Sequence, residues 1–414
     1  MTLFAVFITL VFFYSLVSGP IERTIVTAPM VFTAAGIGCY WVMAEFQLQE
    51  GSQEIFLRLA EIGLVLLLFT DASRTDLQVL RNIRNLPVRL LSTGMLLTLL
   101  LGTFAALVVF RHLSLWEAGI LAAILAPTDA GLGQVIVNSQ LVPMKIRQAL
   151  NVEAGLNDGL SVPFLLFFIA LAGTGAETQS ARLGQYILEQ LGFGTLAGIG
   201  IGLIGGWLLG FAHRKKLVTE SWTQLGVVAV PLLCLLTSQA VGASMFIAAF
   251  VAGLAVQVGF KPAGQHSVDF AEEWGQLINL SVFFLFGLFV GRNGQNFTVA
   301  HVVYAVLSLT VVRMLPVAAA LVGTSLSRAT VLFMGWFGPR GLASIVLALV
   351  YLEQGARHPG ESTIRLAVMA TVLLSIFAHG LSAAPGITLY AAKIAALHPE
   401  APERQAPEPS RGEP

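Results

Sequence analysis

Asp129, Glu153, Asp158, Arg313 and Arg340 all stand inside long apolar runs. A charge at the centre of a membrane helix costs roughly 2.5–3.5 kcal/mol on insertion scales. A chain that keeps several of them offsets that cost by pairing them or by using them to carry ions. The chemistry open to them is cation and proton handling, because hard cations take oxygen ligands and a buried carboxylate is neutralised by a proton as readily as by a metal ion. The densest group is VEAGLNDGLSVPF, residues 152–164. At 3.6 residues per helical turn, Glu153 and Asn157 share a face, and Asp158 lies about 100° further round. The spacing therefore separates two jobs. Glu153 faces a fixed partner, for which Arg313 and Arg340 are the candidates. Asp158 faces a cavity, and the same cavity is expected to hold Thr128 and Asp129.

Thr128 and Asp129 occur in LAPTDAGLGQ. Pro127 removes a backbone donor and Gly131 and Gly133 follow, so the helix is expected to break mid-run. Broken helices free carbonyls and N–H groups for ions. The mirror feature is GWFGPRGLASIVLAL, where Gly338, Pro339 and Gly341 interrupt the run around Arg340. One interrupted helix in each half points to an inverted-repeat transporter. Arg340 then either neutralises carboxylates when no ion is bound or serves as one half of a structural pair. Elsewhere, Glu61 is within reach of Arg58 three residues earlier. Asp71 lies about 15 Å further along the same helix, near its cytoplasmic end. His379, in SIFAHGLSAAP, reads as a capping or packing residue.

The elements that must position these residues are membrane helices. Of the 414 residues 56% are hydrophobic and 11% charged, against about 25% charged in soluble chains. The net charge is zero, and no basic patch of the kind nucleic acid requires is present. Cys39 and Cys234 lie far apart in apolar runs and suggest neither a disulfide nor a metal site. About 13 segments are long enough to span a bilayer, near 2–18, 24–44, 56–73, 87–110, 116–138, 148–173, 185–211, 223–240, 242–260, 270–291, 300–323, 329–352 and 365–388. The first lacks a positive flank and a cleavage site, and so reads as a helix rather than a signal peptide. With the N-terminus outside, fifteen Lys and Arg fall in inside loops, among them Arg23, Arg81, Arg84, Lys261 and Arg411, and five fall outside, among them Arg357. That bias fits the positive-inside rule and puts the C-terminus in the cytoplasm. The tail from 396 to 414 is rich in Pro, Glu and Arg and is expected to be disordered.

APTDAG, NVEAGLNDG, GPRGLAS and HGLSAAP occur in this order in the fifth, sixth, twelfth and thirteenth segments. Together they resemble the monovalent cation/proton antiporters, in the branch with NhaP and the NHE exchangers, over about residues 5–390. The resemblance implies an all-α membrane fold of about 13 helices, with inverted repeats and two crossed broken helices. It implies a homodimer whose core moves against a dimerisation domain. The core takes residues 87–173 (helices 4–6) and 300–390 (helices 11–13), and the dimerisation part takes 1–73 (helices 1–3) and 185–291 (helices 7–10). It implies that Asp158 carries the ion and the proton, that Asp129 and Thr128 line the same sodium site, and that Asn157 marks an electroneutral member. Glu153 with Arg313 would be a family ion pair, and Arg340 the core arginine. Two positions depart from the family pattern. Ala154 stands where some members have a serine that contributes to ion coordination, and Ser161 is the candidate replacement. Thr70 and Asp71 follow Phe69 where many members carry a glutamate, which makes them, with Glu61, accessory candidates.

The expected activity is exchange of sodium, or of lithium or potassium, for protons at one carboxylate, in the service of pH homeostasis. The chain would be a transporter in the cell membrane, with no enzymatic activity and no cofactor beyond the transported ions. An ion-coupled symporter of an organic solute is the nearest rival. A channel would be expected to show a filter segment or rings of like charge, and neither is visible. An intramembrane aspartyl protease would leave the paired breaks unexplained.

Overall fold

The computed structural model of the protein describes residues 2–22, 24–42, 52–74, 85–173, 180–260, 264–353, 359–398 and 401–404. The loop residues Arg23, Arg81, Arg84, Lys261, Arg357 and Arg411 lie outside the described residues. Among the described residues every regular element is a helix. In chain order these are α1 (Thr2–Glu22), α2 (Ala28–Val42), α3 (Ser52–Arg74), α4 (Asn85–Val109), α5 (Leu115–Ile124), α6 (Ala130–Val137), α7 (Met144–Gly173) and α8 (Ser180–Arg214). They continue with α9 (Glu220–Val241), α10 (Met245–Phe260), α11 (Gly264–Asn293), α12 (Val299–Ala320), α13 (Arg328–Trp336), α14 (Leu342–Glu353) and α15 (Glu361–Ala395). Eight of the described helices, α1, α4, α7, α8, α9, α11, α12 and α15, are individually long and apolar enough to cross a bilayer. The protein is an integral membrane protein.

The local causes are legible. α9 and α10 are separate helices because Gly242 takes left-handed backbone, φ 65°, and ends the first of them. α5 starts at a capping box, in which Ser114 accepts from the Glu117 N–H and the Glu117 carboxylate accepts from the Ser114 N–H. α5 and α6 share one apolar run, divided at Pro127, and α13 and α14 share another, divided at Gly338 and Pro339. α8 and α10 pack at close range, with Gly194, Gly198, Gly202, Gly206 and Gly210 set against the α10 main chain. Small residues every fourth position permit such an approach in a membrane, where dispersion and fit drive association.

α7 occupies the centre and touches α3, α5, α6, α8, α10 and α14. α15 lies on the other side of the divided helices, against α5, α6, α13 and α14. These two helices flank the breaks and supply most of the side chains that hold them.

The tail, expected to be disordered from residue 396, is described as far as Arg404. Residues 401–404 turn back so that the Glu403 carboxylate accepts from the Ser327 N–H at 2.6 Å and from the Thr330 hydroxyl at 2.8 Å. This puts an anion at the α13 N-terminus, where unpaired N–H groups and the helix dipole favour it. Burial works to raise the Glu403 carboxyl, but the hydrogen bonds from Ser327 and Thr330 outweigh it and hold the group below the usual range.

Candidate ion-binding site

The two breaks meet. The Asp129 N–H donates to the Pro339 carbonyl at 2.8 Å, and the Arg340 guanidinium donates from Nη1 to the Pro127 carbonyl at 3.0 Å. The Asp129 carboxylate caps both following half-helices. Its Oδ1 accepts from the Leu132 N–H of α6 at 3.0 Å, and its Oδ2 from the Leu342 N–H that opens α14. One aspartate thus satisfies N-terminal donors of two helices, the groups that helix geometry leaves unpaired. Gly341 is required at this approach, because a Cβ there would collide with the Asp129 carboxylate.

Asn157 clamps the first break. Its Oδ1 accepts from the Thr128 N–H at 3.1 Å, and its Nδ2 donates to the Thr128 hydroxyl at 2.9 Å. Glu153, on the same face of α7, accepts a two-pronged contact from Arg313, at 2.5 Å from Nη1 and 3.0 Å from Nη2. Arg313 rather than Arg340 is its partner, and both members are buried. Arg–carboxylate forks are among the stronger charge-assisted pairs.

Asp158 is placed differently from all of these. It is 2% exposed, and its Oδ1 is fully buried with no hydrogen-bond partner. It lies within electrostatic reach of Asp129, Asp71 and Arg340. Asp71 reaches α7 from α3, where its Cβ packs against Gly155. Arg340 is fully buried, and its Nε and Nη2 have no partner. Unpaired buried donors and acceptors are costly, and the protein supplies no partner for these carboxylate and guanidinium atoms.

A cavity of about 20 Å³ opens beside the crossing, lined by Thr128, Asp129, Asn151, Glu153, Ala154, Phe337 and Pro339 among others. It has room for about one water molecule or bare ion. Ala154 lines this space, so a serine there would add an oxygen to it. Ser161 turns its hydroxyl back to the Asp158 main-chain carbonyl at 2.9 Å. Thr70 likewise bonds the Leu67 carbonyl, and Glu61 pairs with Arg58 at 3.0 Å, away from the crossing. A larger cavity of about 190 Å³, between α3, α11, α14 and α15, is lined mainly by Phe56, Phe286, Phe289, Leu349 and Met369, with Arg292 and Arg365. It has no acidic lining residue, and Asp158, expected to share a cavity with Thr128 and Asp129, lines neither of these two spaces.

Sequence reasoning passed over two positioning residues, Glu117 and Ser375, and read His379 as the capping or packing residue it is. Glu117 also accepts from the Gly360 N–H at 2.7 Å, tying the start of α5 to that of α15. The capping-box spacing from Ser114 is the signal that would have found it. Ser375 accepts from the Arg340 N–H at 2.6 Å, and His379 contacts Ser375 and the Trp336 carbonyl. Nothing local in the sequence announces Ser375.

The sequence profile of the family described as "Sodium/hydrogen exchanger, transmembrane" matches residues 3–388. The chain belongs to the sodium/hydrogen exchanger family. Curated relatives include a Na(+)/H(+) antiporter of Schizosaccharomyces pombe, 27% identical over 263 residues, covering 59% of this chain and 56% of the relative. Another is the K(+)/H(+) antiporter NhaP2 of Shewanella oneidensis, 25% identical over 297 residues, covering 69% of this chain and 49% of the relative. The matches to these two therefore span about half the length of each relative. The fold is that of the sodium proton antiporter MjNhaP1 from Methanocaldococcus jannaschii. One structure of it gives a TM-score of 0.73 at 20% identity, covering 91% of this chain and 98% of that one. A second gives 0.76 over 97% and 99%.

Proposed function

We propose that the protein is a secondary transporter that exchanges sodium for protons by alternating access, with Asp158 as the carboxylate for which the two compete. The observation that carries this reading is the unpartnered, fully buried Asp158 oxygen within electrostatic reach of Asp129 and Arg340, the charged residues of the two breaks. Membership of the exchanger family and relatives named as sodium/proton and potassium/proton antiporters support the same chemistry.

Each residue then has a physical task. A charged carboxylate in a low-dielectric site is costly, so Asp158 crosses only when a proton or a cation neutralises it. Thr128, Asp129, carbonyls freed at the break and water complete an oxygen shell for a hard cation. Asn157 contributes no charge and holds Thr128 in place, so one proton moves against one sodium and no net charge crosses. Arg340 balances the site when it is empty. Glu153 and Arg313 fix α7 against α12. Asp71 faces the site from α3 and adds negative potential on the approach. In this reading α4–α7 and α12–α15 form the moving core, α1–α3 and α8–α11 form the dimerisation part of a homodimer, and the C-terminus is cytoplasmic.

The test is a pH-gradient assay in proteoliposomes with lithium, sodium and potassium in turn. Sodium is expected to collapse the gradient in the wild type, and Asp158→Asn is expected to be silent with every cation. Full exchange by Asp158→Asn overturns the proposal. A response to potassium alone would move the substrate to that ion and leave the site unchanged.

A further inference from the structure

The second break is held as deliberately as the first, but by residues that no part of the exchange scheme uses. Trp336 ends α13, and ahead of it its carbonyl accepts only the local bond from the Gly338 N–H at 2.9 Å. His379 of α15 meets that carbonyl with Nε2 at 2.9 Å. Its Nδ1 lies 3.1 Å from the Ser375 hydroxyl, one turn earlier on α15, and 3.0 Å from the Ser375 carbonyl. The Ser375 hydroxyl accepts from the Arg340 N–H at 2.6 Å. Ser375 and His379 are 0% and 3% exposed. A neutral imidazole with its proton on Nε2 satisfies the side-chain line and leaves Nδ1 and the Ser375 carbonyl, 3.0 Å apart, both acceptors. Arg340 N–H donates to Ser375, the Ser375 O–H donates to Nδ1, and a neutral imidazole donates from Nε2 to Trp336. The indole of Trp336 lies 5.0 Å from the imidazole, and its Nε1 donates to the Ser382 hydroxyl at 2.9 Å, which fixes the other side of the joint.

We infer that His379 and Ser375 form a brace that sets the geometry of the cation site from the far side of the second break. The connection is short. Ser375 fixes the main chain at Arg340, and two residues later the Leu342 N–H meets the Asp129 carboxylate. The Arg340 side chain reaches back to the Pro127 carbonyl, next to Thr128. The brace therefore controls where Asp129 and the carbonyls of the first break stand, without touching the ion. It is the counterpart of Asn157, which does the same work for the first break from α7. His379 is a positioning residue, and its imidazole carries no transported proton.

This inference rests on the proposed exchange at Asp158, and the test separates the two. Purified wild type, His379→Leu, His379→Gln, Ser375→Ala and Ser375→Thr are reconstituted in proteoliposomes at equal folded amounts, and sodium-driven proton exchange is measured against sodium concentration and pH. His379→Leu and Ser375→Ala are expected to raise the apparent KM for sodium roughly ten-fold, the scale of a buried hydrogen bond left unmade, with Vmax changed far less. His379→Gln keeps a donor for the Trp336 carbonyl and Ser375→Thr keeps the hydroxyl, so both are expected within about three-fold of wild type on the same scale. The pH profile is expected to stay in place throughout. A merely structural role would lower the yield of folded protein and leave KM unmoved at equal folded amounts, and that result overturns the brace. So does a shifted pH profile in His379→Gln at unchanged KM, which would make the imidazole a proton carrier. If His379→Leu does not fold, Ser375→Ala carries the decision, because it removes one hydroxyl and no ring. Exchange in the wild type with unaffected variants removes only the brace, whereas absence of exchange in the wild type removes the Asp158 scheme itself.

Discussion

The two helix breaks use one device with opposite chemistry. Each divides an apolar run at a proline, and each is held by the long helix that follows it, α7 for the first and α15 for the second. At the first break the side chain is an anion, Asp129, and it faces inward to cap two half-helices. At the second it is a cation, Arg340, fully buried and bonded to the first break's carbonyl. The difference is in what remains open. At the second break Ser375 takes the Arg340 N–H, His379 meets the Trp336 carbonyl, and Asp129 takes the Pro339 carbonyl and the Leu342 N–H. The first break borders the cavity, and Asp129 lies within electrostatic reach of the unpartnered Asp158. One break is a joint and the other is a joint with a binding site beside it.

That contrast is open to attack, beginning with the part that spans both breaks. Arg313 pairs with Glu153 on α7 while its guanidinium lies against Gly338 of the second break. Removing one member of a buried pair leaves an uncompensated charge worth about 3–5 kcal/mol. Arg313→Leu is therefore expected to cause the largest loss of folded protein, read as a fall in thermal unfolding temperature in detergent. A stable, fully active Arg313→Leu would mean that the halves are not locked through this pair. Asp129→Ala comes next. It deletes two caps of about 1 kcal/mol each together with a site oxygen, so stability is expected to drop and sodium exchange to be lost together.

Asn157→Asp sharpens the contrast without demanding a large change in stability. The Thr128 N–H and hydroxyl can both donate to the new carboxylate, so the first break survives. The second charge is expected to make transport respond to membrane potential, as measured by imposing a potassium-diffusion potential on proteoliposomes. A variant still indifferent to voltage would detach residue 157 from stoichiometry. Ala154→Ser adds one oxygen to the first cavity and is expected to lower the sodium KM by a few-fold, on the scale of one net hydrogen bond. The smallest effect is at the tail. Glu403→Gln is expected to cost about 1 kcal/mol or less, the worth of an N-cap. Because the folded Glu403 carboxyl is held low, its contribution is present above the ordinary carboxylate range and is lost as pH falls through the depressed value. Hydrogen exchange at the Ser327 amide, which donates to Glu403, should report that release on acidification.

Much of the frame was legible in the sequence. Helix positions followed from apolar runs, and both breaks from Pro and Gly in the middle of those runs. Helical spacing separated Glu153 from Asp158, and the charges themselves pointed to ion handling. The partners were less legible. The spacing grouped Thr128 with Asp158, whereas the structure fastens Thr128 to Asn157 and uses both Asp129 oxygens as caps. Those choices depend on how α6, α7 and α14 cross, which no local pattern encodes. Ser375 looked like any small residue of a membrane helix, and it matters only because Arg340 is brought to it from 35 residues away. Glu403 sat in a composition typical of disorder, and the exposed N-terminus of α13 is what gives it a place.

The central claim is competition at Asp158, and counting protons tests it most directly. Sodium is added to purified protein in weakly buffered solution, and proton release is measured for the wild type and for Asp158→Asn. The account predicts that the wild type releases one proton for each sodium bound from the protonated state and that Asp158→Asn releases none. Sodium binding by the wild type without proton release, or undiminished release by Asp158→Asn, would contradict it.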